Sequence, residues 1–198
     1  IGVAIEEDFH LSYPFLLSHE NELYMCPETS QTDEIRLYKC VEFPLKWEFS
    51  TVLMSNVLAV DTNIFKKNGR WWLMTNICSS GNDFSSELHI FSSENLFSSD
   101  WKPNNKNPVL FDPLVGRNGG LIFEKDHIYR VQQRQGFNFY GEALGVAKIK
   151  LISDNDYKEE NIFQVEPNLI DNAQGIHTLN YKSGLLVLDC VKLDQHEK

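Results

Sequence analysis

The 198-residue sequence has a formal net charge of −10, with 42% hydrophobic and 12% aromatic residues. Its length suits one domain, its apolar content excludes a disordered ground state, and its acidity with scattered Lys and Arg excludes nucleic acid as the main partner. No apolar run approaches the roughly 18 residues of a membrane-spanning helix, so no membrane span is expected.

The opening "IGVAIEEDFH" lacks the basic start and apolar middle of a secretory leader, and the missing initiator Met reads as a trimmed or processed start. From residue 12 onward one pattern repeats. An apolar strand, a short turn with Asn, Asp or Gly and a second apolar strand occur at 15–28 "FLLSHENELYMCPE", 63–76 "NIFKKNGRWWLMTN", 120–133 "GLIFEKDHIYRVQQ" and 178–190 "TLNYKSGLLVLDC". Aligned on Tyr24, Trp72, Tyr129 and Leu186, the repeats lie 48, 57 and 57 residues apart. Asn-Gly at 68–69 and Ser-Gly at 183–184 are hairpin turn chemistry.

A third strand follows each of the first three hairpins, opening at Glu34 "EIRLYKC", Glu87 "ELHIFSS" and Glu142 "EALGVAKI". An apolar edge run closes the unit, as in "WEFSTVL" (47–53) or the stretch from Trp101 to Leu110. Alternation with period two and Tyr, Trp, Phe and Val content fit strands, and residues 153–160 "SDNDYKEE" read as a polar turn or at most one helical turn. Units of about 50 residues with three or four antiparallel strands are propeller blades. The units are 12–53, 60–111, 117–167 and 175–191, with 1–7 as part of the last blade because "IGVAI" is similar to "LGVAK" at 144–148. A single propeller domain over 1–198 is therefore expected.

The four cysteines, Cys26, Cys40, Cys78 and Cys190, form no Cys-x-x-Cys pair; Cys26, Cys78 and Cys190 sit in or just after apolar runs and are expected as buried free thiols, with a cytoplasmic location. His10, His19 and His89 show no metal spacing, and neither a metal nor a cofactor is expected.

The stretches "HLSYPFLLSHENELYMCPETS", "EIRLYKCVEFPLKWE", "VDTNIFKKNGRWWLMTN", "DWKPNNKNPV" and "GIHTLNYKSGLLVLD" together resemble the N-terminal propeller domain of glucosamine inositolphosphorylceramide transferases, from about His10 to Leu193. Bacterial relatives of that family often join the domain to a formyltransferase-like one. The resemblance implies an all-β, five-bladed, glycosidase-like propeller, here lacking its first strands; a closed four-bladed ring is the alternative. It also implies a fused or partner transferase domain, with the transfer chemistry lying outside this chain.

In such a blade the start of strand one, the end of strand two and the start of strand three share one face, at the mouth of the central channel. Ligand-binding candidates are Tyr13, Arg117, Asn118 and His177 from strand-one starts, and Asn76, Gln132, Gln133 and Asp189 from strand-two ends. Asp61, Glu28 and Glu142 are the catalytic candidates, Asp61 ionised and Glu28 or Glu142 as the acid, since glycoside hydrolysis needs two carboxylates in different protonation states. Glu34, Glu87 and Glu142 recur in every complete unit and read as a shared structural device, such as bonding a neighbouring loop, ahead of catalysis. His177 reads either as a channel ligand or as a satisfied core histidine.

Carboxylates and amides suit vicinal hydroxyls, and Tyr or Trp covers an apolar sugar face. Three functions are compatible with this set. The first is a carbohydrate-recognising module that presents a glycan or nucleotide sugar in glycoconjugate biosynthesis. The second is a glycoside hydrolase using Asp61 with Glu28 or Glu142, and the third a protein-interaction propeller.

Overall fold

The computed structural model describes residues 2–79, 81, 83–136, 141–182 and 184–192. Its first hairpin pairs β1 (Ser12–His19) with β2 (Glu22–Glu28), and Glu20 and Asn21 fill the two-residue turn, both at positive φ. The second pairs β5 (Ala59–Lys67) with β6 (Arg70–Ile77) through Asn68 and Gly69, again both at positive φ. This turn geometry matches the right-handed twist of the flanking strands, which is why Asn-Gly marks it in sequence. β10 (Arg117–Glu124) pairs with β11 (His127–Arg134), and β14 (Ala173–Lys182) with β15 (Leu185–Lys192). Ser183 of the expected Ser-Gly turn lies outside the described residues, while Gly184 is at φ +85°.

β3 (Glu34–Glu42) and β4 (Lys46–Ser55) extend the first hairpin into a four-stranded sheet, and β7 (Glu87–Ser93) extends the second. The expected edge run beyond β7 is split into β8 (Lys102–Pro103) and β9 (Leu110–Phe111), both paired with β7. Proline has no N–H for the ladder, and Pro103 and Pro108 bracket the gap. Side chains fill it: Ile90 N donates to Asn107 Oδ1 at 2.9 Å, and Asn107 Nδ2 donates to Ile90 O at 2.8 Å. An asparagine side chain thus stands in for the missing strand backbone.

β12 (Ala143–Ile152) and β13 (Tyr157–Val165) complete the third unit, where the polar turn is confined to 153–156. Residues 157–160 belong to a strand, a correction to the turn expected over 153–160. The acidic composition misleads there because Glu159 faces inward onto a buried arginine.

The fold is an all-β propeller with no α-helix among the described residues. Its inner strands β1, β5, β10 and β14 follow one another: β5 packs on β1 and on β10, and β10 packs on β14. β10 and β14 meet in a single parallel bridge, Ile122 with Tyr181. Their approach depends on Gly120 at φ +131°, where a Cβ would overlap the carbonyl oxygen of Leu179. Side chains of successive sheets pack between them, including Trp71, Trp72 and Trp101, while a second apolar cluster of Val131, Leu144, Ile176 and Leu179 joins the last two units. Trp47 differs from the other tryptophans: it sits on the rim and donates to Pro44 O at 2.8 Å. Residues 2–11 carry no strand and do not pair with β15. They run along the first sheet, where Tyr38 donates to Glu7 and Arg36 lies over the Phe9 ring.

Candidate functional site

Every inner strand is bulged near its start. The register shifts between Ser12 and Phe15 in β1, Val60 and Asn63 in β5, Asn118 and Gly120 in β10, and Ile176 and Leu179 in β14. A bulge sets an extra residue against the partner strand and re-aims a side chain. Tyr13 (φ +45°) and Asp61 (φ +51°) occupy such positions with left-handed backbone, which non-glycine residues rarely adopt. His177 occupies the corresponding bulge in β14.

These side chains converge. Asp61, 3% exposed, accepts a hydrogen bond from Arg117 Nε at 2.6 Å across two units. Burial pushes the Asp61 carboxyl up to about 6, against the pull of Arg117; the charge of Glu28 raises it further and His177 lowers it. Tyr13 donates to Asn63 Oδ1 at 3.0 Å, and burial together with Asp61 lifts its phenol well above its ordinary value. Tyr13, Asp61, Arg117 and His177 at the inner-strand starts thus share one electrostatic environment with Glu28 at the end of β2.

His177 is held from two sides. Asp189 Oδ1 accepts from the backbone N–H groups of His177 (3.1 Å) and Thr178 (2.6 Å), and Asp189 Oδ2 lies 3.6 Å from His177 Nδ1. Partial burial opposes ionisation of Asp189, but the imidazole and the two amides outweigh it and hold the carboxyl below its usual range. On the other side Gly141, at φ +67°, accepts from Ile176 N at 2.8 Å, and a Cβ there would overlap the His177 ring. Gly141→Ala is therefore expected to displace the imidazole and cost about 1–3 kcal/mol, as overpacking does. A denaturation midpoint and the His177 imidazole resonance check this; an unmoved resonance would contradict it.

The remaining amides are placed differently. Asn76 donates to Glu87 O and Gly116 O and accepts from Asn118 N, so its hydrogen bonds go to backbone. Asn118 donates to Asp61 O and Met74 O and accepts from Arg130 Nη1. Both act as buried crosslinks between the second and third units. Gln132 points away, to Glu159 and Asn161. Gln133 lies across the ladder from Arg117, donates to Asn118 O at 3.1 Å, and keeps a buried Oε1 without a partner among the described residues.

Glu28 accepts from Ser30 Oγ at 3.0 Å. Glu142 is exposed and pairs with Arg134 at 3.4 Å, and it is not among the largest influences on Asp61. The recurring glutamates divide their tasks. Glu34 pairs with Arg36 two residues along its strand, and Glu87 pairs likewise with His89 while accepting from Ser79 N, so one of them does bond a neighbouring loop. Burial opposes the Glu87 charge, yet the Ser79 and His89 contacts hold its carboxyl below the usual range.

Two groups escape the sequence reading. Asn63 is buried beside Tyr13, and its place two residues beyond Asp61 on an alternating strand is the signal that could have found it. Arg130, fully buried, forks onto Glu159 at 2.8 and 2.7 Å and also donates to the carbonyls of Val115, Gly116 and Arg117. It thereby fixes the backbone that presents Arg117. Among the described residues no cluster of three His, Cys, Asp or Glu side chains could hold a metal ion.

The family described as glucosamine inositolphosphorylceramide transferase 1, N-terminal, matches residues 1–194. The chain belongs to this family. Glucosamine inositolphosphorylceramide transferase 1 of Arabidopsis thaliana is 35% identical over 166 residues, covering 82% of the chain and 21% of the relative. The relative from Oryza sativa subsp. japonica is 35% identical over 163 residues, covering 80% and 22%. The chain thus spans about a fifth of the length of these curated relatives. In fold it is similar to the Bacillus subtilis arabinanase (16% identity, TM-score 0.59, 91% of this chain and 65% of that one). It is also similar to a family-43 glycoside hydrolase from Xanthomonas citri complexed with xylotriose (10%, TM-score 0.62, 92% and 67%). At these identities the likeness shows the propeller fold alone.

Proposed function

We propose that residues 1–198 form one carbohydrate-recognising propeller domain, five-bladed in plan, that holds a glycan for glycoconjugate biosynthesis beside a separate transferase domain. The observation that carries this reading is the convergence of Tyr13, Asp61, Arg117 and His177 at the starts of the inner strands, with Glu28 joining them from the end of β2. A half-open arrangement of carboxylates, a guanidinium, an imidazole and a phenol offers the donors and acceptors that a hydroxyl-rich ligand needs. The relatives' name supports the glycoconjugate context, and their greater length leaves room for a transferase domain. Four free cysteines support a reducing, cytoplasmic compartment. No described helix is long and apolar enough to cross a membrane.

The second reading, hydrolysis, is favoured by one observation. Burial, with the charge of Glu28 adding to it, raises the Asp61 carboxyl to about 6, the direction a general acid needs, so in this reading Asp61 takes the acid's role rather than the ionised one expected from sequence. A glycan array probed with the labelled chain, run beside nitrophenyl arabinofuranoside and xyloside, tests both. Binding to a subset of oligosaccharides without nitrophenol release is the expected result. Release abolished by Asp61→Asn would establish the hydrolase instead, and a blank array with no release would remove both readings.

A further inference from the structure

We propose that this mouth selects its saccharide by charge, taking uncharged and amine-bearing sugars and excluding those that carry phosphate or carboxylate, with Glu28 as the selecting residue. The inference rests on the saccharide reading of the site and narrows it to one ligand class.

Anionic sugars, sugar nucleotides among them, are held by arginine forks or by helix N-termini. The chain has five arginines, and each is already ion-paired to a carboxylate. Arg117 holds Asp61 at 2.6 Å, Arg130 holds Glu159 at 2.7 Å, Arg36 holds Glu34 at 2.7 Å, Arg134 holds Glu142 at 3.4 Å and Arg70 holds Asp154 at 2.6 Å. No α-helix occurs among the described residues, so none of them offers a helix N-terminus to the mouth. A phosphate entering here would have to take Arg117 from a buried Asp61, leaving that carboxylate without its principal counter-charge.

The groups left over are acceptors. Glu28 has no lysine, arginine or histidine within ion-pair distance among the described residues; its one hydrogen bond comes from the Ser30 hydroxyl, and its charge reaches Asp61. Gln133, 2% exposed, lies opposite Arg117 on the adjacent strand and presents an Oε1 that no described group satisfies. Buried acceptors without partners are rare in folded proteins, and here a ligand donor would complete the set. Among the described residues Glu28, Asp61 and Asp189 set three carboxylates there against Arg117 and His177. The chain's net charge of −10 adds a field of the same sign, which draws cations and repels anions. Hydroxyl and ammonium groups answer this demand; phosphate and carboxylate do not.

Calorimetric titration of the chain at pH 7.5 with four probes tests the selection: chitosan trimer, N-acetylated chitin trimer, trigalacturonate and UDP-N-acetylglucosamine. The amine trimer is expected to bind about tenfold tighter than its acetylated form, and both anionic probes at least tenfold weaker than the acetylated form. Glu28→Gln should bring the amine-to-acetyl ratio close to one. Equal affinity for the amine and acetyl trimers, an anionic probe binding as tightly as the neutral one, or a ratio that survives Glu28→Gln overturns the charge selection alone. Silence with all four probes and a blank glycan array overturns it together with the saccharide reading.

Discussion

Arg130→Met is expected to lower the folding stability by about 3–5 kcal/mol, the cost of leaving a buried ion partner uncompensated. Arg130 is fully buried, and its guanidinium bridges Glu159 on β13 to the segment 115–118 that starts β10. Burial opposes the Glu159 charge, but Arg130, Tyr157 and Gln132 outweigh it and hold the carboxyl below its usual range. Without Arg130 that carboxylate keeps only neutral donors, Tyr157 and Gln132. For a domain of this size the loss corresponds to a fall in melting temperature of roughly 10 °C. Thermal unfolding measures it directly. The double variant Arg130→Met, Glu159→Leu should recover part of the loss, because removing both charges relieves the desolvation that removing one exposes. A single variant within 1 °C of the parent would contradict a structural role for this pair.

The second large effect concerns Asp61 and pH. With its carboxyl near 6, about a tenth of Asp61 is ionised at pH 5 and nearly all at pH 7.5. Saccharide affinity that depends on the ionised form should therefore rise about tenfold between those values, with a midpoint near 6. Asp61→Asn should bind weakly and show no such midpoint. Stability moves the opposite way. An acid raised on folding holds its proton from about pH 4 to 6 while the unfolded chain releases it, so this group draws stability down as pH rises, by about 3 kcal/mol at most. The loss is complete above the folded value and absent below the unfolded one. Denaturant midpoints across pH 4–7 on parent and Asp61→Asn check the sign, and a parent curve no steeper in its fall than the variant's would contradict it.

Much of the architecture is legible because hairpin turns are local chemistry. Asn68 and Gly69 adopt the positive φ values that their dipeptide favours, and repetition of hairpin plus third strand identifies the propeller. The pairing of Asp61 with Arg117, 56 residues apart, follows once both are placed at inner-strand starts. What eludes a linear reading is the fate of each polar group. Asn76 and Asn118 stand at the predicted positions, yet their amides are occupied by backbone carbonyls, Asn76 by Glu87 O of its own unit and Gly116 O, and Asn118 by Asp61 O and Met74 O of the preceding unit. A sequence tells which face a side chain takes, but hydrogen-bond satisfaction depends on partners tens of residues away. Glu159 shows the converse: a strand rich in Glu and Asn reads as exposed until the buried arginine it serves is known. The left-handed backbone at Tyr13 and Asp61 is equally illegible, since no glycine announces it.

The most direct test of the central claim, that bulged inner-strand starts converge into one ligand-binding mouth, is an amide NMR titration with the saccharide that gives the strongest array signal. Perturbed resonances are expected around residues 13, 28, 61, 117, 133 and 177, contributed by all four inner strands and their partners. Perturbations confined to the outer strands β4, β9 and β13, or spread over a single sheet, would contradict the account.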